Sequence, residues 1–576
     1  MAWALKQELK EQLAAEEGYY RYPLGTRLPV ALAYPNSYFV GMSNLGLHII
    51  YELLNKRSDT ACERVFLPER KSLERYENTR TPLMSVENQL PLQQFAMIAF
   101  VLSFEMDYFN VVKMLELGKV RVRAAERGDM DPLVIAGGPC ATFNPEPLSA
   151  VIDAFVIGEG EVIMPALMDV FYQARGEGLS RAEMLQRLAQ VPGVYVPSLY
   201  EHRYGEDGRL LAIAPGQNVP AKVSRQWLQD LDAYPAHTVV RTENTEFNFY
   251  LIETARGCGR HCRFCMAGYC FRRPRNRSLS VVTREVKDAL QYKKRIGLMG
   301  AAISDYPEIN ELCKDILGEG LSMSVASFRA DSVTQELVDS LAESGLKTLT
   351  MAPEAGSSRM RAIINKGIEE EHLFNAMDMG LAAGIRHFRL YIMIGLPFEQ
   401  DEDVEAIVDL AGRLKDYMED HGSKGTLTLS VNPFIPKPFT PFQWLPMADK
   451  KYVEKAAKTL TQGLRKRKNI IVGVESPKEA YIQGVLARGD RQVGEALLLA
   501  CENGGSKAFK RAMKECGLAM DDYLYREREA DELFPWESLD MGFTREYIYQ
   551  EMKKAAELKP TIQCFDGCHR CGVCGQ

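Results

Sequence analysis

At 576 residues the chain is several times the length of a typical domain of about 150 residues, so more than one core is expected. Apolar residues make up 46% and charged residues 26%, ordinary globular usage that excludes a disordered, collagen-like or fibrous chain. The net charge of -7 excludes a global field that recruits polyanions, so a nucleic-acid partner would need a local basic patch.

The opening segment MAWALKQELKEQLAAEEGYY is charged on a helical period and has no apolar leader, so residues 1–27 read as a helical extension and a mature cytoplasmic end. Residues 28–170 alternate apolar runs at 29–35, 63–68, 97–104, 132–139 and 154–160 with amphipathic stretches. Continuous apolar runs of that length predict a parallel sheet covered on both faces, a Rossmann-like α/β domain. The runs end in turn signals, at Asn36 and at Gly137-Gly138-Pro139 and Gly158-Glu159-Gly160; these read equally as a ligand crevice at the strand ends or as ordinary tight turns. The longest run, FAMIAFVLSF, has about half the roughly 20 residues a bilayer span needs, so no membrane helix is expected.

Residues 171–245 are less regular and predict a connector with a hairpin turning near 204–208. Over 246–448 the strand and helix rhythm returns, with FYLIETAR, LMGAAIS, MSVASF, TLTMAPE, HFRLYIMIG and LTLSVNPF as strands. Six such units predict a partial (β/α)6 barrel. Residues 449–560 read as helical, and 561–576 as a cysteine-rich tail.

Thirteen cysteines without a secretion signal argue for metal or redox chemistry rather than disulfides. Six are isolated, at 62, 140, 270, 313, 501 and 516, and read as buried apolar residues. Cys258, Cys262 and Cys265 stand at C-x3-C-x2-C directly after the strand FYLIETAR. Three thiolates on an iron-sulfur cluster leave one iron open to a substrate. A zinc site completed by Cys270 is the alternative, but a loop after the first strand of such a barrel is an active-site position.

That spacing, with aromatic Phe264 before the last cysteine, resembles the signature of the radical S-adenosylmethionine (SAM) superfamily. The resemblance implies that the open iron chelates SAM, which is cleaved to methionine and a 5'-deoxyadenosyl radical, with a reductant such as flavodoxin or ferredoxin as partner. It further implies cofactor contacts from Phe264, from Ser304 after the second strand, from Ser327 and Arg329 after the third, from Pro353 and Glu354 within 351–356, and from Gly395 within 394–397. A Rossmann-like domain ahead of the barrel resembles the cobalamin-dependent class. There the cobalt-ligating pattern D-x-H-x-x-G corresponds to Asn36, Tyr38 and Gly41, with no histidine. Two readings stay open: cobalamin bound without a lower histidine, its tail in the crevice of Gly137, Gly138, Gly158 and Gly160, or a domain that keeps the fold as a substrate platform. The segment SVNPFIPKPFTPFQW resembles the barrel-closing segment of several such enzymes and of methylthiotransferases, and the whole arrangement resembles an uncharacterised bacterial radical SAM family.

The tail places Cys564, Cys568, Cys571 and Cys574 at C-x3-C-x2-C-x2-C. It suits a second iron-sulfur cluster, or zinc with His569 as a further ligand. Basic runs at Arg272, Arg273, Arg275 and Arg277, and at Arg465, Lys466, Arg467 and Lys468, could follow a phosphate backbone, making RNA a possible substrate. The expected function is a cytoplasmic radical SAM enzyme that transfers a methyl group from cobalamin to an unreactive carbon. The alternatives are radical sulfur insertion or methylthiolation, and a zinc-clasped scaffold or RNA-binding protein.

Overall fold

The computed structural model describes residues 2–234, 236–292, 295–565 and 567–575. A helix over Ala2–Ala14 precedes a six-stranded sheet of β1 (Leu28–Tyr34), β2 (Thr60–Phe66), β3 (Met97–Val101), β4 (Leu133–Gly137), β5 (Ala154–Val156) and β6 (Val194–Tyr195). The strand order is β2-β1-β3-β4-β5-β6, parallel except for β6. Alternate residues feed two separate cores: Ala31, Ala33, Ile98, Phe100 and Val134 face one, while Val30, Leu32, Met97, Ala99 and Leu133 face the other. Burial on both faces is why these strands are apolar without alternation. The sheet reverses direction of growth at β1, the switch point where open α/β sheets form a crevice.

The hairpin is β7 (Tyr200–Tyr204) and β8 (Leu210–Pro215), turning where the sequence placed it, and the short β9 (Val223–Ser224) follows. The second α/β unit opens with β10 (Tyr250–Glu253). The antiparallel pair β11 (Ala255–Arg256) and β12 (Arg275–Asn276) then closes off the loop that carries the first cysteines. The remaining barrel strands are β13 (Ile296–Met299), β14 (Met323–Val325), β15 (Thr348–Glu354), β16 (His387–Ile394), β17 (Leu427–Pro433) and β18 (Ile470–Val474). They run parallel as a three-stranded and a four-stranded sheet, linked at a seam by a bridge between Phe328 and Met351. All six expected strands are present. The helical reading of 449–560 needs two corrections: β18 pairs with β17 as a seventh barrel strand, and a short strand over Leu539–Asp540 pairs with β9.

Helices over Pro477–Arg488, Arg491–Glu502 and Phe509–Glu515 fold back onto the first sheet, where Val485, Leu497 and Phe509 join its core. The rings of Phe109 and Phe509 meet edge to face at 5.6 Å. Strand β19 (Leu539–Asp540) pairs with β9, and the helix Arg545–Ala556 leads the tail back to the barrel.

Candidate functional site

The first cysteine loop hangs from the β11/β12 pair. Gly257 has φ +79°, and a Cβ there would lie 2.1 Å from Phe271 O, so only glycine lets the two strands of the loop close. Cys262 is buried, while Cys258 and Cys265 are half-buried. Burial and the neighbouring Cys262 sulfur lift Cys265 to about 11, and burial also raises Cys258 against the Arg260 N–H that donates to its sulfur at 3.4 Å. Among the described residues no three Cys, His, Asp or Glu side chains are already closed around a metal-sized space. The loop supplies three thiols within eight residues of chain, in a partly dry recess, a donor set suited to iron-sulfur ligation. Cys270 is fully buried and packs within the apolar core that the first sheet shares.

Around Cys262 the barrel ends gather charge. Lys366 Nζ lies 3.0 Å from Glu354 Oε1 and 5.8 Å from the centroid of the Phe264 ring. Burial would lower the Lys366 ammonium, but Glu354 and the Cys262 sulfur hold it above its ordinary value. Burial likewise opposes Arg329, which Cys262 and Asp331 hold charged. Arg329 spends Nε and Nη2 on Asp331, both at 3.0 Å, and Nη2 also donates to Lys366 O at 2.8 Å. Ser304 is buried and accepts from Ser332 Oγ at 2.9 Å, while Ser327 is half-buried. Pro353 is buried at the end of β15, beside Glu354 with φ +66°. Gly395 follows β16 with φ +75°, and its N–H donates to Glu399 Oε1 at 2.7 Å.

Several of these groups were not expected. Arg260 grips Asp305 through Nε and Nη2 at 2.9 and 2.8 Å and Asp331 through Nη1 at 3.0 Å, tying the cysteine loop to the loops after β13 and β14. Its place inside the cysteine motif was the available signal. Lys366 had none, since a lone lysine after a short helix looks like any solvated one.

A cavity of about 460 Å3 lies between the carboxyl ends of the first sheet and the cysteine loop, within the size range of cofactor sites. Leu32, Ala99, Val101 and Ile135 line it from the sheet, and Arg256, Phe271 and Met299 from the barrel side. Gly137, Gly138, Gly158 and Gly160 also line it, but their reasons for being glycine differ. A Cβ at Gly138 would meet Leu102 O at 2.7 Å, and one at Gly158 would meet Gln226 O at 2.0 Å, so both accommodate this chain's own backbone. At Gly137 a Cβ would find only Val156 at 3.5 Å, and at Gly160 the flexible end of Ile50.

Asn36, Tyr38 and Gly41 require a correction: none lines the cavity. Asn36 donates to Asp107 Oδ1 at 3.0 Å, and Tyr38 donates to Glu16 at 2.5 Å while its ring meets Phe66 at 5.1 Å. A Cβ on Gly41 would strike that same Phe66 ring at 2.5 Å. His48, buried and held at about 4 by desolvation, sits between Met42 O and Val240 N. Among the described residues lining the cavity there is no histidine or cysteine.

The first basic run is not a surface patch. Arg272, Arg275 and Arg277 are buried and of the run Arg273 alone is exposed; Arg275 pairs with Glu159 at 2.7 Å and Arg277 with Glu253 at 2.6 Å. The second run is an exposed helix end in which Arg467 pairs with Asp416. Neither shows a dedicated phosphate track. His569 of the tail is exposed.

Residues 252–411 match the pattern described as the radical SAM superfamily, and residues 46–197 that of radical SAM proteins, N-terminal. An uncharacterized protein of Methanocaldococcus jannaschii is 30% identical over 475 residues, 81% of this chain and 90% of its own. The chain belongs to the radical SAM superfamily. An uncharacterized methyltransferase of Pyrococcus horikoshii is 28% identical over 294 residues, 49% of this radical SAM chain and 58% of its own. Among solved structures, the radical SAM methyltransferase TsrM from Kitasatospora setae, with cobalamin and a [4Fe-4S] cluster bound, superposes with a TM-score of 0.47 at 13% identity, covering 85% of this chain and 99% of that one. As a radical SAM enzyme the chain works with SAM and an iron-sulfur cluster. Among the described residues no helix is long and apolar enough to cross a membrane.

Proposed function

We propose that Cys258, Cys262 and Cys265 hold the SAM-cleaving [4Fe-4S] cluster, that cobalamin occupies the cavity beside them, and that the enzyme methylates an unreactive carbon. Bound there, the cluster and SAM supply a carbon radical, and cobalamin supplies the methyl group; such cofactors carry the hard chemistry. The chain's own residues place and isolate these groups. Lys366 and Arg329 put positive charge beside Cys262, suited to a SAM carboxylate; the Glu354 carboxylate offers an acceptor for its amino group, and Ser304, whose Oγ already accepts from Ser332 Oγ and Arg329 N, keeps its O–H to donate. Phe264 covers the cluster side, and Gly395 keeps the backbone after β16 free of a side chain. Arg256, Arg275 and Arg277 together neutralise Glu159, Glu161 and Glu253 at the floor of the cavity.

The carrying observation is the shared cavity: one chamber touches both the carboxyl ends of β1, β3 and β4 and the loop of the three cysteines. No histidine lines the chamber among the described residues, so the chain itself would offer cobalamin no imidazole there. The Pyrococcus relative described as a methyltransferase supports the reaction class. The testing experiment is anaerobic reconstitution with iron, sulfide and hydroxocobalamin, followed by cobalt and iron assays and the visible spectrum. Stoichiometric cobalt is expected. Iron without cobalt would make the first domain a substrate platform and overturn methyl transfer from cobalamin. Replacing Cys258, Cys262 and Cys265 together by Ala should abolish reductive SAM cleavage, and retained cleavage would refute the ligand assignment.

A further inference from the structure

The cysteine tail lies across the loop of the first three cysteines. Cys564 N–H donates to Gly259 O at 2.8 Å, and Asn365 anchors the approach by accepting from Thr561 N at 2.9 Å and donating to Thr561 O at 3.0 Å. Cys568 and Cys571 are buried, Cys564 is half-buried, and Cys574 is exposed. Arg570 Nε donates to Cys568 Sγ at 3.1 Å.

Beneath the tail sits a buried cation without a counter-ion. Arg272 is fully buried, its guanidinium lies 5.0 Å from the centroid of the Tyr269 ring, Nη1 donates to His261 Nδ1 at 3.2 Å, and Nε and Nη2 lack a hydrogen-bond acceptor within 3.5 Å. Among the described residues no carboxylate pairs with it; the groups whose negative form would stabilise its charge are Tyr269, Cys564, Tyr547 and Cys571, of which the two thiols become anionic on binding a metal. A buried guanidinium persists only when something compensates it. Neutral thiols do not, whereas four thiolates gathered on a metal centre form an anion.

His261 reports the same arrangement. Arginine has only donors, so Arg272 obliges Nδ1 of His261 to accept, and the ring hydrogen must lie on Nε2. Nε2 stands 3.5 Å from Cys564 Sγ, the separation of an N–H···S hydrogen bond. Tyr547, whose hydroxyl is 2.9 Å from Nδ1, holds the ring in that orientation.

We propose that Cys564, Cys568, Cys571 and Cys574 hold a second iron-sulfur cluster, seated on Arg272, whose reduction potential His261 raises by donating to the Cys564 sulfur. Hydrogen bonds to cluster sulfurs stabilise the more negative, reduced state. His261 precedes Cys262 directly, so this centre would lie one residue from the first set of ligands. The cluster's presence is independent of the first site; only the significance of that proximity rests on the reading that Cys262 binds a cluster.

The test uses the full chain, reconstituted anaerobically with iron and sulfide. The unaltered protein should carry about eight iron atoms, the variant C258A/C262A/C265A about four, and that variant with C568A and C571A added essentially none. The first step reads the first site and the second step reads the tail, so either reading can fail alone. Zinc in place of iron, or a triple variant already devoid of iron, would overturn the tail cluster. If a variant fails to fold by circular dichroism, the unaltered chain still decides: about four iron atoms with zinc bound refutes the proposal. In the triple variant, which carries only the tail centre, H261A should lower its midpoint potential. An unchanged potential would remove His261 from the proposal.

Discussion

Arg256 of the cysteine loop lies 3.0 Å from Glu159 and 2.8 Å from Glu161, so one guanidinium two residues ahead of Cys258 fastens the barrel to the last turn of the first sheet. Glu253 shares it at 2.9 Å. Burial opposes the Arg256 charge, but these three carboxylates hold it well above its ordinary value. Arg275 and Arg277 would still serve Glu159 and Glu253 after its loss, whereas Arg256 is the cation 2.8 Å from Glu161.

Removing Arg256 should therefore strand a buried carboxylate at the cavity wall. R256M is expected to lose about 3–5 kcal/mol of stability, the usual cost of breaking a buried pair from one side. It should also weaken hydroxocobalamin uptake, since Arg256 and Glu161 both line the cavity. Urea unfolding and cobalt binding of the purified variant check the two effects. An unchanged unfolding midpoint would mean that water already reaches Glu161.

Glu399 gives a pH dependence whose sign can be worked out. Burial lifts its carboxyl from 4.5 to about 7, against the opposing hydrogen bond from Gly395 N–H. A carboxyl raised on folding binds its proton more tightly in the native state, so its contribution is complete below about 4.5 and is lost as pH rises through about 7. E399Q keeps an oxygen to accept from Gly395 but does not titrate. Between pH 5 and 8 its melting temperature should fall less than that of the parent. Parallel melting curves would show that Glu399 is ionised throughout.

The local signals that survived folding were those that depend only on neighbours in sequence. The apolar runs of β1, β3 and β4 were legible because both faces are buried, and the C-x3-C-x2-C spacing was legible because all three cysteines share one loop. Arg275 failed the same test because its partner Glu159 lies 116 positions away, and charge without its partner reads as surface. Strand β18 escaped because IIVGV is short, half-exposed and follows a charged helix, so only its pairing with β17 defines it. Tyr38 misled in the opposite way: a pattern borrowed from the cobalt-ligating turn fell on residues whose actual task is to pack Phe66 and bind Glu16.

Lys366 illustrates what only the folded chain displays, a single buried ammonium between Glu354 and Cys262. K366M should weaken SAM binding at least about tenfold, which corresponds to about 1.4 kcal/mol and sits at the low end for a charge-assisted hydrogen bond. Equilibrium dialysis with the reconstituted protein measures this without turnover. The iron content should be unchanged, because Lys366 is not a thiol donor. Equal SAM affinity would show that the ammonium serves only to neutralise Glu354.

Val101 separates the cavity from the cluster loop as a place for intervention. It ends β3, is half-buried, and lines the chamber from the sheet side, far in sequence from the cysteines. V101W puts an indole into the space of about 460 Å3 rather than into a filled core, so the overpacking cost of about 1–3 kcal/mol should be partly relieved by the void. Hydroxocobalamin binding should weaken at least about tenfold, while the iron content and SAM affinity stay at parent levels. That combination is expected only if the corrin occupies the chamber and the cluster lies outside it. Unaltered cobalt binding would move the cofactor elsewhere, and a parallel loss of iron would mean that the chamber wall and the cysteine loop fold as one unit.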